Sequence, residues 1–200
     1  MLTALTPEAL RPVLTGIMAT DPAHDWHHVV RVWRLAQAIA ATEPAVDHEI
    51  LDPAVLLHDI SPKQPGSSNA LIEAATIVPL LAPFDVPPHK LPAITQAINE
   101  HSYSRGWRAT SLESAILQDA DRLDAIGAIG IARVFAVGGA RGRPLYDPHD
   151  PTNSVEHFYD KLLRLKDGMN TAEGCRLAEH RHAVLEQFLL EFYAEWGEDY

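Results

Sequence analysis

A single cysteine, Cys175, is all the thiol chemistry this 200-residue chain contains. One thiol excludes an internal disulfide and any multi-cysteine zinc or iron–sulfur site. It fits a reducing compartment, and the chain is expected in the cytoplasm. Basic charge is also scarce: 16 Lys and Arg stand against 27 Asp and Glu, a formal net charge of −11. A surface so acidic argues against a nucleic-acid polymer or an anionic membrane as partner, since both demand clustered cations. Long apolar runs are missing. None approaches the roughly 18 residues that a membrane span needs, and Pro7, Glu8, Arg11 and Pro12 break the first segment before it can read as a signal peptide. Internal repeats and alternating strand patterns are absent too.

What is present is helical periodicity. Residues 25–42 carry Val29, Val32, Trp33, Ala36 and Ile39 at the 3–4 spacing of an amphipathic helix. Further helices are expected over 53–58, started by Pro53 with Asp52 as cap, and over 68–81, 92–102, 111–137, 154–166 and 171–196. The reading is all-α: one compact helical-bundle domain over 1–200. Its core spans about 14–137, a loop rich in Gly and Pro covers 137–154, and C-terminal helices cover 154–196.

Eleven histidines are the unusual count, and the informative ones gather with aspartates. His24, His27 and His28 share a face at the start of the first long helix, and Arg31 follows one turn on. An apolar run, Ala54 to Leu57, delivers the adjacent pair His58-Asp59. Asp119, Asp121 and Asp124 interrupt the most apolar helix of the chain. Aspartate is a poor interior helix residue, and a buried unpaired carboxylate is costly, so this cluster requires a cation, either an arginine or a metal. Histidines and aspartates on three helices make a mixed nitrogen and oxygen donor set of the kind that suits Mn²⁺, Fe²⁺, Co²⁺, Ni²⁺ or Zn²⁺.

The order H…HD…D resembles the signature of the HD-domain metal-dependent phosphohydrolases. It is carried by HDWHHVVRVW, AVLLHDI and LQDADRLDAIGAIGIARVF. The resemblance continues through EHSYSRGW, GGARGRPLYDPHDP and KLLRLKDGMNT, so it covers about Leu14 to Trp196. It is closest in kind to the stand-alone bacterial HD hydrolases of this length, some of which act as nucleoside triphosphate pyrophosphohydrolases. It implies His28, His58, Asp59 and Asp121 as ligands of a divalent ion (Mn, Co, Ni, Fe, Zn or Mg), with Asp119 the competitor for the last place and Asp124 a supporting hydrogen-bond partner. It also implies a phosphorylated small molecule, a nucleotide, as substrate. The alternative is a sensor of the same fold that binds metal and nucleotide without catalysis.

An acidic pocket would repel phosphates unless cations line it. Arg31, Lys63, Arg122, Arg141 and Arg143 are the candidates, with Tyr146 beside them in the glycine-rich loop. Some HD hydrolases place an acidic pair after the doublet to help activate water. Here Ile60-Ser61-Pro62-Lys63 stands in that place. Asp59, Lys63 and His101 are therefore the candidate catalytic groups. A second metal would rest on His101 alone. Gly127 and Gly130 read as sites of close packing within one helix. The oligomeric state stays open.

Overall fold

The computed structural model describes residues 4–14, 17, 25–60 and 71–197. Among them are nine α-helices, four short 3₁₀ turns and no β-strand. The all-α expectation is met. Two compact units divide the chain, Met1–Asp121 and Arg122–Tyr200.

The first unit holds α1 (Pro7–Leu14), α2 (Trp26–Ala40), α3 (His48–Leu57), α4 (Ala74–Leu81), α5 (Leu91–Glu100) and most of α6 (Leu112–Asp124). On α2 the periodic residues Val29, Val32, Ala36 and Ile39 are all buried, as the spacing predicts. Its N-cap is Asp25, whose Oδ1 accepts from the His28 amide at 2.9 Å. The C-terminal half of α3 is apolar on every side: Ala54, Val55, Leu56 and Leu57 are all buried, as is Leu51 before them, and the helix packs against both α2 and α5. Ile94, Ala97 and Ile98 form the buried face of α5. Each such Leu or Ile contributes roughly 1.5–3 kcal/mol on full burial.

Several boundaries differ from the expectation. Helix α3 starts five residues before Pro53, because Asp47 rather than Asp52 caps it, accepting from Glu49 N at 3.0 Å. Pro53 lies inside the helix. Helix α4 begins at Ala74; of the residues expected before it, 68–70 lie outside the described residues and 71–73 are not helical. Helix α1 was hidden by its prolines. Pro7 takes the first helical position, where a missing N–H costs nothing, and Thr6 Oγ1 accepts from Ala9 N at 3.2 Å.

The second unit contains α7 (Gly127–Ala140), α8 (Glu156–Asp160) and α9 (Ala172–Trp196), with α7 packed on α9. The expected helix over 111–137 is two helices, because the chain turns at Ala125 and Ile126. Gly127 opens α7 at φ 76°, a left-handed conformation that side chains resist. A Cβ on Gly130 would lie 2.2 Å from the Ala125 carbonyl oxygen. Both glycines therefore build a corner rather than a packing face inside one helix. The helix expected over 154–166 ends at Asp160 and gives way to 3₁₀ turns at Leu162–Arg164 and Lys166–Gly168. Helix α9 matches expectation, with Thr171 Oγ1 capping it through Gly174 N at 3.0 Å. Rings dominate this unit: Phe158 stacks on Phe188, Phe192 on Trp196, and Phe135 touches Phe158, Phe188 and Phe192.

Candidate metal centre

Three helix ends of the first unit supply the site. His28 sits in the first turn of α2, its backbone fixed by the Asp25 cap. His58 is the residue that ends α3, and Asp59 follows it. His101 ends α5 in the same way. The last carbonyls of a helix lack intrahelical partners, and each of these two histidines satisfies one. His58 Nδ1 lies 2.7 Å from Val55 O, and His101 Nδ1 lies 2.6 Å from Ile98 O. A carbonyl only accepts, so Nδ1 carries the proton in both rings, and Nε2 of a neutral ring keeps its lone pair.

His28 Nε2 lies 3.1 Å from His58 Nε2, 3.3 Å from Asp59 Oδ2 and 3.5 Å from Asp121 Oδ1. His58 Nε2 lies 3.8 Å from Asp59 Oδ2 and 4.0 Å from Asp121 Oδ1. The ring of His101 stands edge-on to His58 with centroids 5.2 Å apart. His28, His58, Asp59 and His101 are buried, whereas the Asp121 side chain is 26% exposed and leaves the cluster open on that side. Asp119 is two residues earlier on α6, about 200° around the helix, and faces away from this face.

Burial pushes the His58 pKa down to about 4; Asp59 opposes the shift, and His28 and His101 add to it. His58 is therefore neutral at pH 7, as a nitrogen ligand must be. Burial works to raise the Asp121 carboxyl, yet His28, His58 and His101 together hold it below the ordinary carboxylate range.

These residues fit a divalent cation. Three acceptor atoms surround His28 Nε2, and a single imidazole proton there can serve only one of them. An ion in their midst serves all. With metal–ligand bonds of about 2.0–2.2 Å, neighbouring ligand atoms on one ion lie about 3–4 Å apart, and the distances above fall in that range. His28, His58 and Asp59 satisfy the geometry as a group of three, with donor atoms all within 4.8 Å of one another, and Asp121 adds its oxygen to the two histidines.

The other expected residues are placed as follows. Arg31 is half-buried on α2, one turn beyond His28. Lys63 lies outside the described residues. Arg122 is buried and donates from Nη1 to the Gly168 carbonyl. Arg141 and Arg143 are exposed residues of the second unit. Tyr146 stands edge-on to Phe192, Tyr193 and Trp196. Asp124 was expected to support a ligand histidine or water; instead its carboxylate pairs with Arg133 at 2.6 Å.

Sequence reasoning gave no role to Gln118 and none to Glu100. The Glu100 carboxylate accepts from Ser114 Oγ, Thr110 N, Thr110 Oγ1 and Gln96 Nε2, all within 3.0 Å. Gln118 Nε2 donates to Glu100 O at 2.8 Å and Trp107 O at 3.1 Å. A signal was available: Ser114, Gln118 and Asp121 form a polar stripe at i, i+4 and i+7 on α6.

The chain is similar to known proteins. The family model described as HD domain matches residues 25–126. The chain is 40% identical over 188 residues to the uncharacterized protein YpgQ of Bacillus subtilis, covering 91% of this chain and 89% of YpgQ. The crystal structure of YpgQ in complex with ADP matches with a TM-score of 0.76 at 34% identity, over 95% of this chain and 97% of that one. A crystal structure of an HD-superfamily hydrolase from Bacillus thuringiensis matches with a TM-score of 0.73 at 36% identity, over 96% of this chain and 99% of the other. Among the described residues, no single helix is long and apolar enough to cross a membrane.

Proposed function

Because the chain belongs to the HD-domain family, we propose that it is a divalent-metal-dependent phosphohydrolase acting on phosphate ester or anhydride bonds of nucleotides, as a nucleotidase or a nucleoside triphosphate pyrophosphohydrolase. The observation that carries the reading is the convergence of His28 Nε2, His58 Nε2, Asp59 Oδ2 and Asp121 Oδ1. The ADP complex of YpgQ supports a nucleotide as the ligand class, and the hydrolase relatives support hydrolysis.

A bound divalent ion supplies Lewis acidity at a phosphoryl oxygen and charge neutralisation. The residues do the rest. His28 and His58 present nitrogens, and Asp59 and Asp121 supply the negative charge that draws a cation into a buried place. His101, with its Nδ1 proton committed to Ile98 O, has Nε2 left as the atom that can take or give a proton. Arg31, and Lys63 in the segment after the doublet, are the cations proposed to meet the substrate phosphates. Arg141 and Arg143 stay in that proposal as exposed guanidiniums. Arg122 and Tyr146 do not, because Gly168 and the rings of α9 engage them. The single cysteine supports a cytoplasmic location.

The test is a panel of nucleotides and phosphomonoesters assayed with Mn²⁺, Co²⁺, Ni²⁺, Zn²⁺ and Mg²⁺, with products separated and identified. Release of phosphate or pyrophosphate that disappears in His58→Ala and Asp59→Ala is the expected result. A protein whose metal content and activity ignore both substitutions overturns it. Saturable nucleotide binding with no product would make it the non-catalytic sensor.

A further inference from the structure

The proposed reaction gives His101 a proton to handle, and that demands a fixed position for its ring. The ring's own bond to Ile98 O sets its rotation relative to α5, but it does nothing to hold the end of α5 against the helix that carries Asp121. The side chain of Gln118 does. It is 1% exposed and lies one turn before Asp121 on the same polar stripe of α6. A primary amide has two N–H donors. Gln118 directs them to two carbonyls, Glu100 O and Trp107 O, at 2.8 and 3.1 Å. Glu100 O belongs to the peptide unit that joins Glu100 to His101, and Trp107 O lies at the far end of the turn that follows His101. The two bonds therefore span the loop on which His101 sits and fasten both of its ends to α6. The Glu100 carboxylate makes a separate set of bonds, to Ser114 and Thr110, that involves its side chain and not the main chain at His101.

We propose that Gln118 is a positioning residue, which sets the His101 imidazole against His58 and Asp121 by binding the main chain on either side of the His101 turn. This rests on the phosphohydrolase reading for its catalytic consequence but not for its structural one. Gln118 spends both amide N–H groups on main-chain carbonyls. Its loss is therefore expected to leave cation binding intact and to disturb only the ring.

The experiment compares Gln118→Met, which keeps length and removes both donors, with Ser114→Ala, which breaks the Glu100 carboxylate contact and leaves Gln118 alone. Three quantities are read: the His101 ring signals in the metal-free protein by NMR, assigned with His101→Asn; Mn²⁺ affinity by titration calorimetry; and kcat and KM on the best substrate of the panel. In Gln118→Met the His101 signals shift or split, Mn²⁺ affinity stays within about twofold, and kcat falls about 10- to 100-fold with KM little changed, as for a small displacement of a reacting group. In Ser114→Ala the melting temperature falls while the His101 signals and kcat stay as in the wild type. Unchanged His101 signals in Gln118→Met overturn the proposal, and so does an equal loss of kcat in Ser114→Ala. Gln118→Glu serves as a second variant, its carboxylate facing two carbonyl oxygens; if neither Gln118 variant folds, the residue is a requirement of the fold and the proposal also fails. A wild type that makes no product fails the phosphohydrolase reading instead, and the NMR comparison still decides the placement of His101.

Discussion

The metal centre is buried and the ring cluster of the second unit is partly so, with Phe158 fully enclosed, and the two use burial in opposite ways. Around Phe158, which is fully buried, the half-buried rings of Phe135, Phe188 and Phe192 remove apolar area from water. Around His28, His58, Asp59 and Asp121 the buried atoms are hydrogen-bond acceptors, whose desolvation costs free energy until a cation sits among them. One region stabilises the protein as it stands. The other is held in place by stability generated elsewhere, through α3 and its contacts with α2 and α5. The contrast predicts that lesions in the two regions separate: loss of function without loss of fold in one, loss of fold without specific loss of metal in the other.

The largest expected effect is on function. His58→Ala should abolish retained metal and lower kcat/KM by about 10³-fold or more, since a Lewis acid supplies several kcal/mol of transition-state stabilisation. Metal analysis of the purified variant together with product assay checks it. Retained metal at wild-type level would break the comparison at its first term.

Next comes the ring cluster. Phe158 is fully buried, so Phe158→Ala should cost about 3–5 kcal/mol, read by urea unfolding, while the folded fraction keeps its Mn²⁺ affinity. A parallel loss of affinity would mean that the two regions are not separable.

A third effect is pH-dependent and belongs to the metal-free protein. His58 titrates near 4 when folded and near 6.5 when unfolded. The unfolded chain then binds more protons between those values, so stability is fully present above about pH 6.5 and falls as the pH drops toward 4, by up to about 3 kcal/mol. Unfolding of the apoprotein at a series of pH values checks it, with His58→Gln as the reference. A slope in that window that survives the substitution would assign the effect to another group. The smallest effect is at Thr171, whose hydroxyl caps α9: Thr171→Ala should cost about 1 kcal/mol in the same unfolding assay and leave metal binding untouched.

The fold class was legible because apolar periodicity is a local property, and α2, α5 and α9 announce themselves within their own residues. Helix α3 was half hidden, since a proline in the interior reads as a start until Asp47 is seen to cap the chain six residues earlier. The break after α6 was unreadable for a different reason. Gly127 and Gly130 are compatible with close packing, and only the approach of Gly130 to the Ala125 carbonyl shows the corner they build. The clusters around His28, His58-Asp59 and Asp121 stood out because histidines and carboxylates within apolar helices need an explanation, but the resemblance alone chose His28 over His24 and His27, and Asp121 over Asp119. Gln118 escaped because a neutral amide raises no electrostatic alarm, and the carbonyls it binds carry no signature in a sequence. The bonds of Arg122 to Gly168 and of Asp124 to Arg133 were invisible for a related reason: sequence distance to a ligand says nothing about which partners a side chain finds.

The main-chain bond at His58 Nδ1 has a further meaning when protons are counted. The ring's one proton sits on Nδ1, donated to Val55 O, before any ion arrives, and Asp121 is already ionised. A cation entering near neutral pH thus displaces no proton from either group, and its binding draws nothing from the buffer on their account. The backbone of α3, by choosing the tautomer in advance, leaves His58 with no proton to give up when an ion arrives.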